Sequence, residues 1–349
     1  MTARLTISLD AMGGDRAPDV VMEGVQLAHV RMPHVHFLLF GDQALLEPLL
    51  DAHPELRAVC QLRHTDQSVK GDDKPSQVLR TGRQSSMWLA VDAVARGEAA
   101  GVVSAGNTGA LMAVSKFVLR MLPGIDRPAI AGFFPTERGE TVMLDLGANV
   151  GCDANNLVEF AVMGEVFARS VLGIEEPSVG ILNVGSEELK GNDAVRAAAA
   201  ILRDGNLPIR FHGFVEGTDI AAGTVDVVVT DGFTGNIALK SAEGLAKLYS
   251  RLLRDAFSSS WLARLGYLLA KSALVKVKMR TDPRRYNGAM LVGLNGITVK
   301  SHGGTDAVGF ANAIEVAVEL VTHGFNERIK RELARLKGAE DSPAQAAAI

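Results

Sequence analysis

The feature that most constrains this chain is a repeated unit: a short apolar run, then a polar turn containing glycine, then a segment with helical periodicity. Such units predict βα pairs, in which parallel strands are covered by helices on both faces of a sheet. Strands are predicted in this way at 5–9, 36–40, 58–62, 101–104, 141–144, 179–183 and 225–230. We therefore expect an α/β fold with a mostly parallel sheet. In such sheets, ligands bind at the turns that follow the carboxyl ends of the strands.

The rest of the chain sets the expected domain organisation. Residues 290–294 and 297–300 flank Asn295-Gly296 and predict a β-hairpin, because this dipeptide accepts the positive φ angles of a two-residue turn. The length of 349 residues, 47% of them hydrophobic, suits one large α/β domain or two lobes that share a cleft, and we expect this single unit to span 1–335. A helical, amphipathic excursion is expected at about 251–285, and a flexible tail over 336–349.

Composition excludes several classes of function. A net charge of -4 and an aromatic content of 5% do not suit a nucleic-acid-binding surface, so we expect no nucleic-acid partner. No apolar stretch reaches the ~20 residues of a membrane span, and the start of the chain does not resemble a secretory signal. Cys60 and Cys152 lie far apart, without the neighbouring ligands of a zinc site. We expect a cytoplasmic protein with no metal and no disulfide.

Glycine turns that open helices suit phosphate, because the first amides of a helix are unpaired and glycine permits close approach. The turns at 104–111 and 230–237 share the pattern G-x-T-G. They supply eight candidate phosphate-binding residues: Gly106, Asn107, Thr108, Gly109, Asp231, Gly232, Thr234 and Gly235. The structural alternative for any one turn is steric need for glycine, or helix capping by Asp and Asn. No turn matches GxxxxGK[ST] or GxGxxG, which argues against ATP and NAD.

Five further polar side chains are candidates for catalysis: Lys190, Asn192, Asn236, Lys300 and His302. An ammonium and an amide can neutralise and orient a phosphate, and a histidine titrates near neutral pH. The alternatives are a solvated helix start, a helix cap and a structural histidine. Asp10, Asp15, Asp145 and Asn149 also follow predicted strands, and the sequence leaves their capping and binding roles open.

Residues 257–280 combine an apolar stripe with charge of one sign. No acidic residue lies between Asp255 and Asp282, whereas that segment contains several lysines and arginines. This pattern suits a helix lying on an anionic membrane surface. The residues expected to face the membrane are Trp261, Leu262, Leu265, Leu268 and Leu269. Packing of this helix on the protein's own core or on a second subunit is the alternative that the sequence leaves open.

Seven segments, in this order, resemble the bacterial phosphate acyltransferase family across residues 5–325: LDAMGGD, SAGNTGALMA, RPAIAGFFP, LDLGAN, LNVGSEELKGN, VVTDGFTGNIALK and GLNGITVKSHGGTD. The resemblance implies a two-lobed fold similar to isocitrate and isopropylmalate dehydrogenases. It also implies a homodimer that associates peripherally with the membrane.

The activity that the resemblance implies is attack by inorganic phosphate on a fatty acyl thioester of acyl carrier protein. The resulting acyl-phosphate would feed glycerol-3-phosphate acyltransferase in phospholipid synthesis. Such a reaction requires no serine or cysteine nucleophile and no cofactor, and the sequence presents no motif for either. We therefore hypothesise that Lys190, Asn192 and the amides of 106–109 and 232–236 hold phosphate, while Lys300 and His302 stabilise developing charge.

Three alternatives remain at this point. A phosphotransacetylase-like enzyme would use short acyl-CoA, and a dehydrogenase of similar fold would require NAD or a divalent metal. A non-enzymatic scaffold would gather lipid-synthesis enzymes on a membrane surface through residues 257–280, with the glycine turns merely structural.

Overall fold

The structure is a computed structural model that describes residues 5–205, 207, 209–280, 282, 284 and 287–340. The strands are β1 (Thr6–Asp10), β2 (His36–Gly41), β3 (Cys60–His64), β4 (Gly101–Ser104), β5 (Ala129–Thr136), β6 (Gly139–Leu144), β7 (Ser178–Leu182), β8 (Arg210–Val215), β9 (Val227–Val229), β10 (Ala289–Val292) and β11 (Ile297–Lys300). The helices are α1 (Asp19–Arg31), α2 (Gln43–Asp51), α3 (Pro54–Arg57), α4 (Pro75–Thr81), α5 (Ser86–Ala95), α6 (Thr108–Leu119), α7 (Ala154–Val171), α8 (Asp193–Asp204), α9 (Gly217–Ala222), α10 (Gly232–Ser258), α11 (Trp261–Arg280), α12 (Ala307–Thr322) and α13 (Phe325–Glu340).

The described strands form one 11-stranded sheet in the order β3-β2-β1-β4-β11-β10-β5-β6-β9-β7-β8. Parallel pairing prevails, as predicted, but β10 is antiparallel to both its neighbours and β5 is antiparallel to β6. These three reversals turn β6, β9, β7 and β8 against the direction of β1, β4 and β11. The carboxyl ends of one set of strands therefore lie on the opposite side of the sheet, along the strand direction, from the carboxyl ends of the other set.

Apolar layers cover both faces of the sheet, as predicted. Because side chains alternate along a strand, Leu9, Val103 and Val299 enter one buried layer, against α1, α7 and α12. Val102 and Val228 enter the layer on the other face, against α5 and α6. Full burial of a valine or leucine side chain stabilises a fold by about 1.5–3 kcal/mol, so these layers fix the register of the strands.

The hairpin β10–β11 is confirmed, but its predicted two-residue turn is wrong. Met290 pairs with Val299, so the strands close on a four-residue connection, 293–296, in which Gly293 holds the positive φ of 90°. Leu294 leaves the hairpin because it bridges to Met121. At the end of the chain, α13 continues to Glu340, which includes the first residues of the expected tail, and 341–349 lie outside the described residues.

Helices α10 and α11 form an arm of 27 and 20 residues. The expected excursion at 251–285 covers the end of α10 and all of α11. Phe257 and Tyr267 meet edge to face, with ring centroids 5.6 Å apart, where the two helices turn on one another. Large apolar side chains of both helices are exposed along the arm. None of the described helices, α10 and α11 included, is long and apolar enough to cross a membrane.

Candidate functional site

Three polar side chains stand in a row at the end of three adjacent strands. Asp10, Ser104 and Lys300 are the last residues of β1, β4 and β11, and Lys300 is in register with Ser104. Parallel strands in register place their terminal side chains about 4.8 Å apart on the same face. All three are buried. A row of buried polar groups where strands end marks the candidate site.

The Asp10 carboxylate is almost fully buried, with 1% of its surface exposed. It accepts hydrogen bonds from the hydroxyls of Ser86 at 2.6 Å and Ser104 at 2.7 Å. Burial raises the pKa of Asp10, and these two hydroxyls, together with the Lys300 charge, oppose the rise. The Ser104 hydroxyl also accepts a hydrogen bond from the Gly106 amide at 3.0 Å. Through Ser104, Asp10 therefore stabilises the conformation of the loop that precedes α6.

The Lys300 ammonium is held in the interior by backbone carbonyl groups. Its Nζ donates to the carbonyls of Ser301 and, at 3.4 Å, of Ala105. Burial lowers the pKa of Lys300 to about 8, against the attraction of Asp10 and Asp15. At neutral pH the row therefore supplies a desolvated cation, and its charge acts more strongly on a neighbouring anion than it would in water.

Two glycine turns close over this row. A side-chain carbon at Gly13 would overlap the Asp10 carboxylate and approach the Gly106 amide within 2.8 Å, so only glycine fits there. The Asp15 amide donates to the Gly303 carbonyl at 2.9 Å and joins the turn after β1 to the turn after β11. His302 lies exposed in the second turn, where its Nδ1 accepts the Gly304 amide at 3.1 Å.

The amide of Asn287 fixes the turn that carries His302. Its Nδ2 donates to the Ser301 hydroxyl and to the Gly309 carbonyl, both at 2.7 Å, and its Oδ1 accepts the His302 amide at 2.9 Å. Sequence reasoning missed Asn287, Ser86 and Ser104. Only the position of Ser104 at the end of a predicted strand gave a signal.

The predicted loop 106–109 presents free amides beside the row. Asn107 caps α6 through Ala110, and its Nδ2 holds the carbonyls of Gly71 at 2.8 Å and Asp73 at 3.0 Å. The amides of Thr108 and Gly109 have no acceptor among the described residues, and both residues are exposed. Unpaired amides at a helix start attract anions. The loop therefore offers amide hydrogens to a phosphate, whereas the Asn107 side chain is already engaged.

Most amides of the second predicted turn, 230–237, are bonded internally. Asp231 caps α10 through the Thr234 amide, the Gly235 amide donates to the Asp231 carbonyl, and the Gly232 amide donates to the Asn149 carbonyl at 2.7 Å. Asn236 is half-buried near Gly147.

Asp145 organises the surroundings of this second loop. The buried Asp145 carboxylate accepts the amides of Ile130, Gly147, Ala148 and Asn149, and the side-chain amide of Asn149 as well. For this group, capping and backbone support are the roles that the geometry displays.

Lys190 and Asn192 form a third group, in the turn between β7 and α8. Asn192 caps α8 through the Val195 amide at 2.9 Å, and Asn183 donates to the Lys190 carbonyl at 3.1 Å. The Lys190 side chain is exposed, with no ion-pair partner among the described residues. No hydrogen bond or ion pair within the described ranges joins this group, or the Asp145 group, to the row of Asp10, Ser104 and Lys300.

The cysteines are poor nucleophiles in this structure. Burial raises the pKa of the Cys60 thiol to about 12, and burial together with the charge of Asp145 raises that of Cys152 to about 11. A thiol rather than a thiolate is present at neutral pH, and the thiolate is the reactive form. In the described part of the chain, no three His, Cys, Asp or Glu side chains are grouped so that they could hold a metal ion.

Comparison with known sequences finds a family model described as fatty acid synthesis protein, which matches residues 5–328. A phosphate acyltransferase of Paramagnetospirillum magneticum is 72% identical over 348 residues, covering 100% of this chain and 99% of the relative. A phosphate acyltransferase of Rhodospirillum rubrum is 66% identical over 337 residues, covering 97% of each chain.

Comparison with solved structures finds the same fold in more distant proteins. A phosphotransacetylase from Streptococcus pyogenes superimposes with a TM-score of 0.62 at 17% identity, covering 92% of this chain and 95% of its own. A branched-chain phosphotransacylase from Enterococcus faecalis has a TM-score of 0.55 at 14% identity, covering 91% and 99%. At such identities the likeness concerns the fold alone.

Proposed function

This chain belongs to the phosphate acyltransferase family, and we propose that it transfers a fatty acyl group from acyl carrier protein to inorganic phosphate. The products are an acyl-phosphate and the free thiol of the carrier. The acyl-phosphate is then a substrate for glycerol-3-phosphate acyltransferase in phospholipid synthesis. The function needs no cofactor, because phosphate supplies its own nucleophilic oxygen.

The observation that carries this proposal is the pairing of a buried cation with free amides. The Lys300 Nζ donates to the Ala105 carbonyl. The unpaired amides belong to Thr108 and Gly109, which follow Ala105 by three and four residues along the chain. A preorganised cation and oriented amides can hold a phosphate and stabilise negative charge on a neighbouring carbonyl oxygen. His302, exposed in the facing turn, is placed to hold or release a proton.

In the proposed reaction, a phosphate oxygen attacks the thioester carbonyl carbon and forms a new C–O bond. The carbonyl oxygen takes negative charge in the tetrahedral intermediate. Its collapse breaks the C–S bond, and the electron pair leaves with sulfur as a thiolate, which takes a proton from His302 or solvent. Charge at the oxyanion and at sulfur develops only in the transition state, so groups fixed in advance lower the barrier.

Thiol release from acyl carrier protein, with and without phosphate, tests the proposed function. We expect release that depends on phosphate and is faster with palmitoyl than with acetyl thioesters. Preference for acetyl-CoA would favour a phosphotransacetylase instead, and a requirement for NAD or a divalent metal would favour a dehydrogenase. No release with any thioester, combined with binding to liposomes, would favour the scaffold.

The two helices of the arm differ in charge, and we assign them different surfaces. The described side chains of α11 include exposed cations and no acid, and they expose Trp261, Leu268 and Leu269 by 73%, 65% and 80%. This helix suits an anionic membrane surface, and we propose that the protein is cytoplasmic and associates peripherally with the membrane through it.

Helix α10 carries charges of both signs around exposed Leu248 and Leu252, a mixture that suits a second copy of the chain. We therefore place a homodimer contact there. In sedimentation equilibrium, a mass twice that of the 37.0 kDa chain is expected, and a mass of one chain would contradict the homodimer.

Replacing Leu265 and Leu268 by glutamate is expected to abolish flotation with liposomes that contain anionic lipid. The change removes apolar contact and adds like charge to the membrane-facing surface. Phosphate-dependent thiol release in solution should persist. Val30→Glu, at a residue 76% exposed on α1, is the matched control and should float as the wild type does. Retained flotation of the double variant would exclude this surface.

A further inference from the structure

A continuous stack of cations and aromatic rings lies on the surface of α5 and α6. The Arg83 guanidinium lies 5.8 Å from the centre of the Trp88 ring, and Trp88 meets Phe117 with centroids 5.7 Å apart. Arg120 lies 5.8 Å from the centre of the Phe117 ring at the end of α6. Trp88 is buried, whereas Phe117 is 47% exposed. We call Arg83, Phe117 and Arg120, with the neighbouring Arg80 and Lys116, the cation strip.

The cations of this strip form no ion pair within the described residues. Arg80, Arg83, Lys116 and Arg120 are exposed, and none forms an ion pair with a carboxylate of the described residues. Other exposed arginines do form ion pairs, as Arg57 does with Asp51, Arg96 with Asp92, and Arg203 with Glu188. Exposed arginines around a central aromatic side chain are typical of protein interfaces, and unpaired cations favour an acidic partner.

Arg120 adopts a backbone conformation that side chains rarely take. Its φ of 67° and ψ of 175° fall in a region occupied almost only by glycine, and no other non-glycine residue in the described part of the chain has positive φ. The Arg120 carbonyl accepts the Asn295 amide at 3.0 Å, which holds this conformation. An arginine where glycine fits the backbone better indicates that its side chain serves a purpose outside the fold.

A cavity lies beside the turn that carries Arg83. Arg83 lies between Gly82 and Ser85, which line a cavity of about 340 Å³ together with Lys70 and Asp73. The segment that contains Lys70 and Asp73 is the one held by the Asn107 side chain at the start of α6. The cavity therefore adjoins the turn that carries Arg83 on one side and the segment held at the start of α6 on the other.

The dimensions and lining of this route suit a thioester carried on a long arm. Helix α6 has 12 residues, so about 18 Å separates its free amides from the strip at its far end. The side chains of Gln67, Gln77 and Thr81 also line the cavity and can bond the amide groups of such an arm. An acyl group that arrived without a carrier would need neither the strip nor this length.

We propose that the cation strip is the docking surface for the acidic face of acyl carrier protein, whose pantetheine arm enters the cavity and presents the thioester to the α6 amides. This inference rests on the proposed acyl transfer from the carrier. The acidic residues of the carrier meet Arg83 and Arg120, and an apolar side chain of the carrier covers Phe117.

The double variant Arg83→Ala/Arg120→Gly tests the docking surface, and Arg120→Gly suits the backbone at that position. We expect KM for palmitoyl carrier protein to rise by at least about tenfold, since central arginines dominate interface energies. The turnover number should stay within twofold, and so should turnover of a palmitoyl-pantetheine thioester without carrier. Added salt should weaken the wild type more than the variant.

Arg210→Ala is the control, because Arg210 is exposed on β8 at the opposite end of the sheet and lacks an ion-pair partner in the described structure. Direct titration of acylated carrier protein gives a second readout that is independent of turnover. A wild type that binds and turns over carrier thioester, with an unchanged KM and Kd in the double variant, overturns the docking surface alone. A wild type that releases no thiol from any thioester in the presence of phosphate overturns the proposed function instead.

Discussion

Replacing Lys300 by methionine is expected to lower the turnover number of phosphate-dependent thiol release by about a hundredfold or more. Loss of one preorganised donor at a developing charge has this effect in other enzymes. Methionine keeps the length and apolar character of the buried side chain and removes only the charge, so the core around β11 should remain packed. Lys330→Met, at a half-buried lysine of α13 that pairs with Glu327, is the control and should keep wild-type turnover.

The pH dependence gives this prediction a second readout. The pKa of Lys300 is lowered to about 8, so the ammonium is present below that pH and is lost as the pH rises through it. Turnover of the wild type should therefore fall as the pH rises through about 8. In Lys300→Arg the guanidinium stays protonated, and the fall in turnover should move to higher pH. A wild-type profile that stays level up to pH 10, or full turnover in Lys300→Met, would remove Lys300 from the chemistry.

Replacing Asp145 by asparagine is expected to reduce the free energy of unfolding by about 3 kcal/mol or more, as measured by urea titration. The carboxylate accepts five N–H groups, and the new amide would turn a donor towards some of them. Each buried donor left without an acceptor costs about 1–3 kcal/mol. Since Asp145 has 0% exposure, water cannot replace the lost contacts.

The matched control is Asp42→Asn, since the Asp42 carboxylate accepts only the Ala44 amide as a helix cap and asparagine caps equally well. Its free energy of unfolding should remain within about 0.5 kcal/mol of the wild type. If Asp145→Asn were equally mild, the Asp145 network would not be the support of the second glycine loop. Thiol release by Asp145→Asn at low temperature should survive, because Asp145 lies outside the row that ends at Lys300.

The sequence predicts nine of the 11 described strands, because apolar runs and glycine turns are local signals, but it misses β5 and β8. Strand β4 coincides with its predicted range, and the ends of β1 and β7 differ by one residue. The order of the strands has no such local signal. Insertion of β11 between β4 and β10 depends on contacts between residues about two hundred positions apart, and it is this insertion that brings Lys300 beside Ser104.

The candidate site was predictable to a similar degree. Lys300, His302 and the loop 106–109 come together, because β4 and β11 are parallel neighbours. Because of the reversals at β10, β5 and β6, Asn236 and Lys190 follow strands that run opposite to β4 and β11. Hydrophobic periodicity carries no information on strand direction, so the sequence could not predict this separation. Asn107 illustrates a different limit, because capping a helix and binding a ligand require the same residue type in the same place.

The position of β11 also has a consequence for biosynthesis. Until residues 289–300 leave the ribosome, β4 and β5 each present an unpaired edge, because β10 and β11 are the strands that lie between them. Open sheet edges pair readily with those of other chains, and domains of high contact order close late. A nascent chain that stops before β10 is therefore a candidate for aggregation and for capture by chaperones. The finished chain gains Lys300, the lysine of the candidate site, in the same step that closes its sheet.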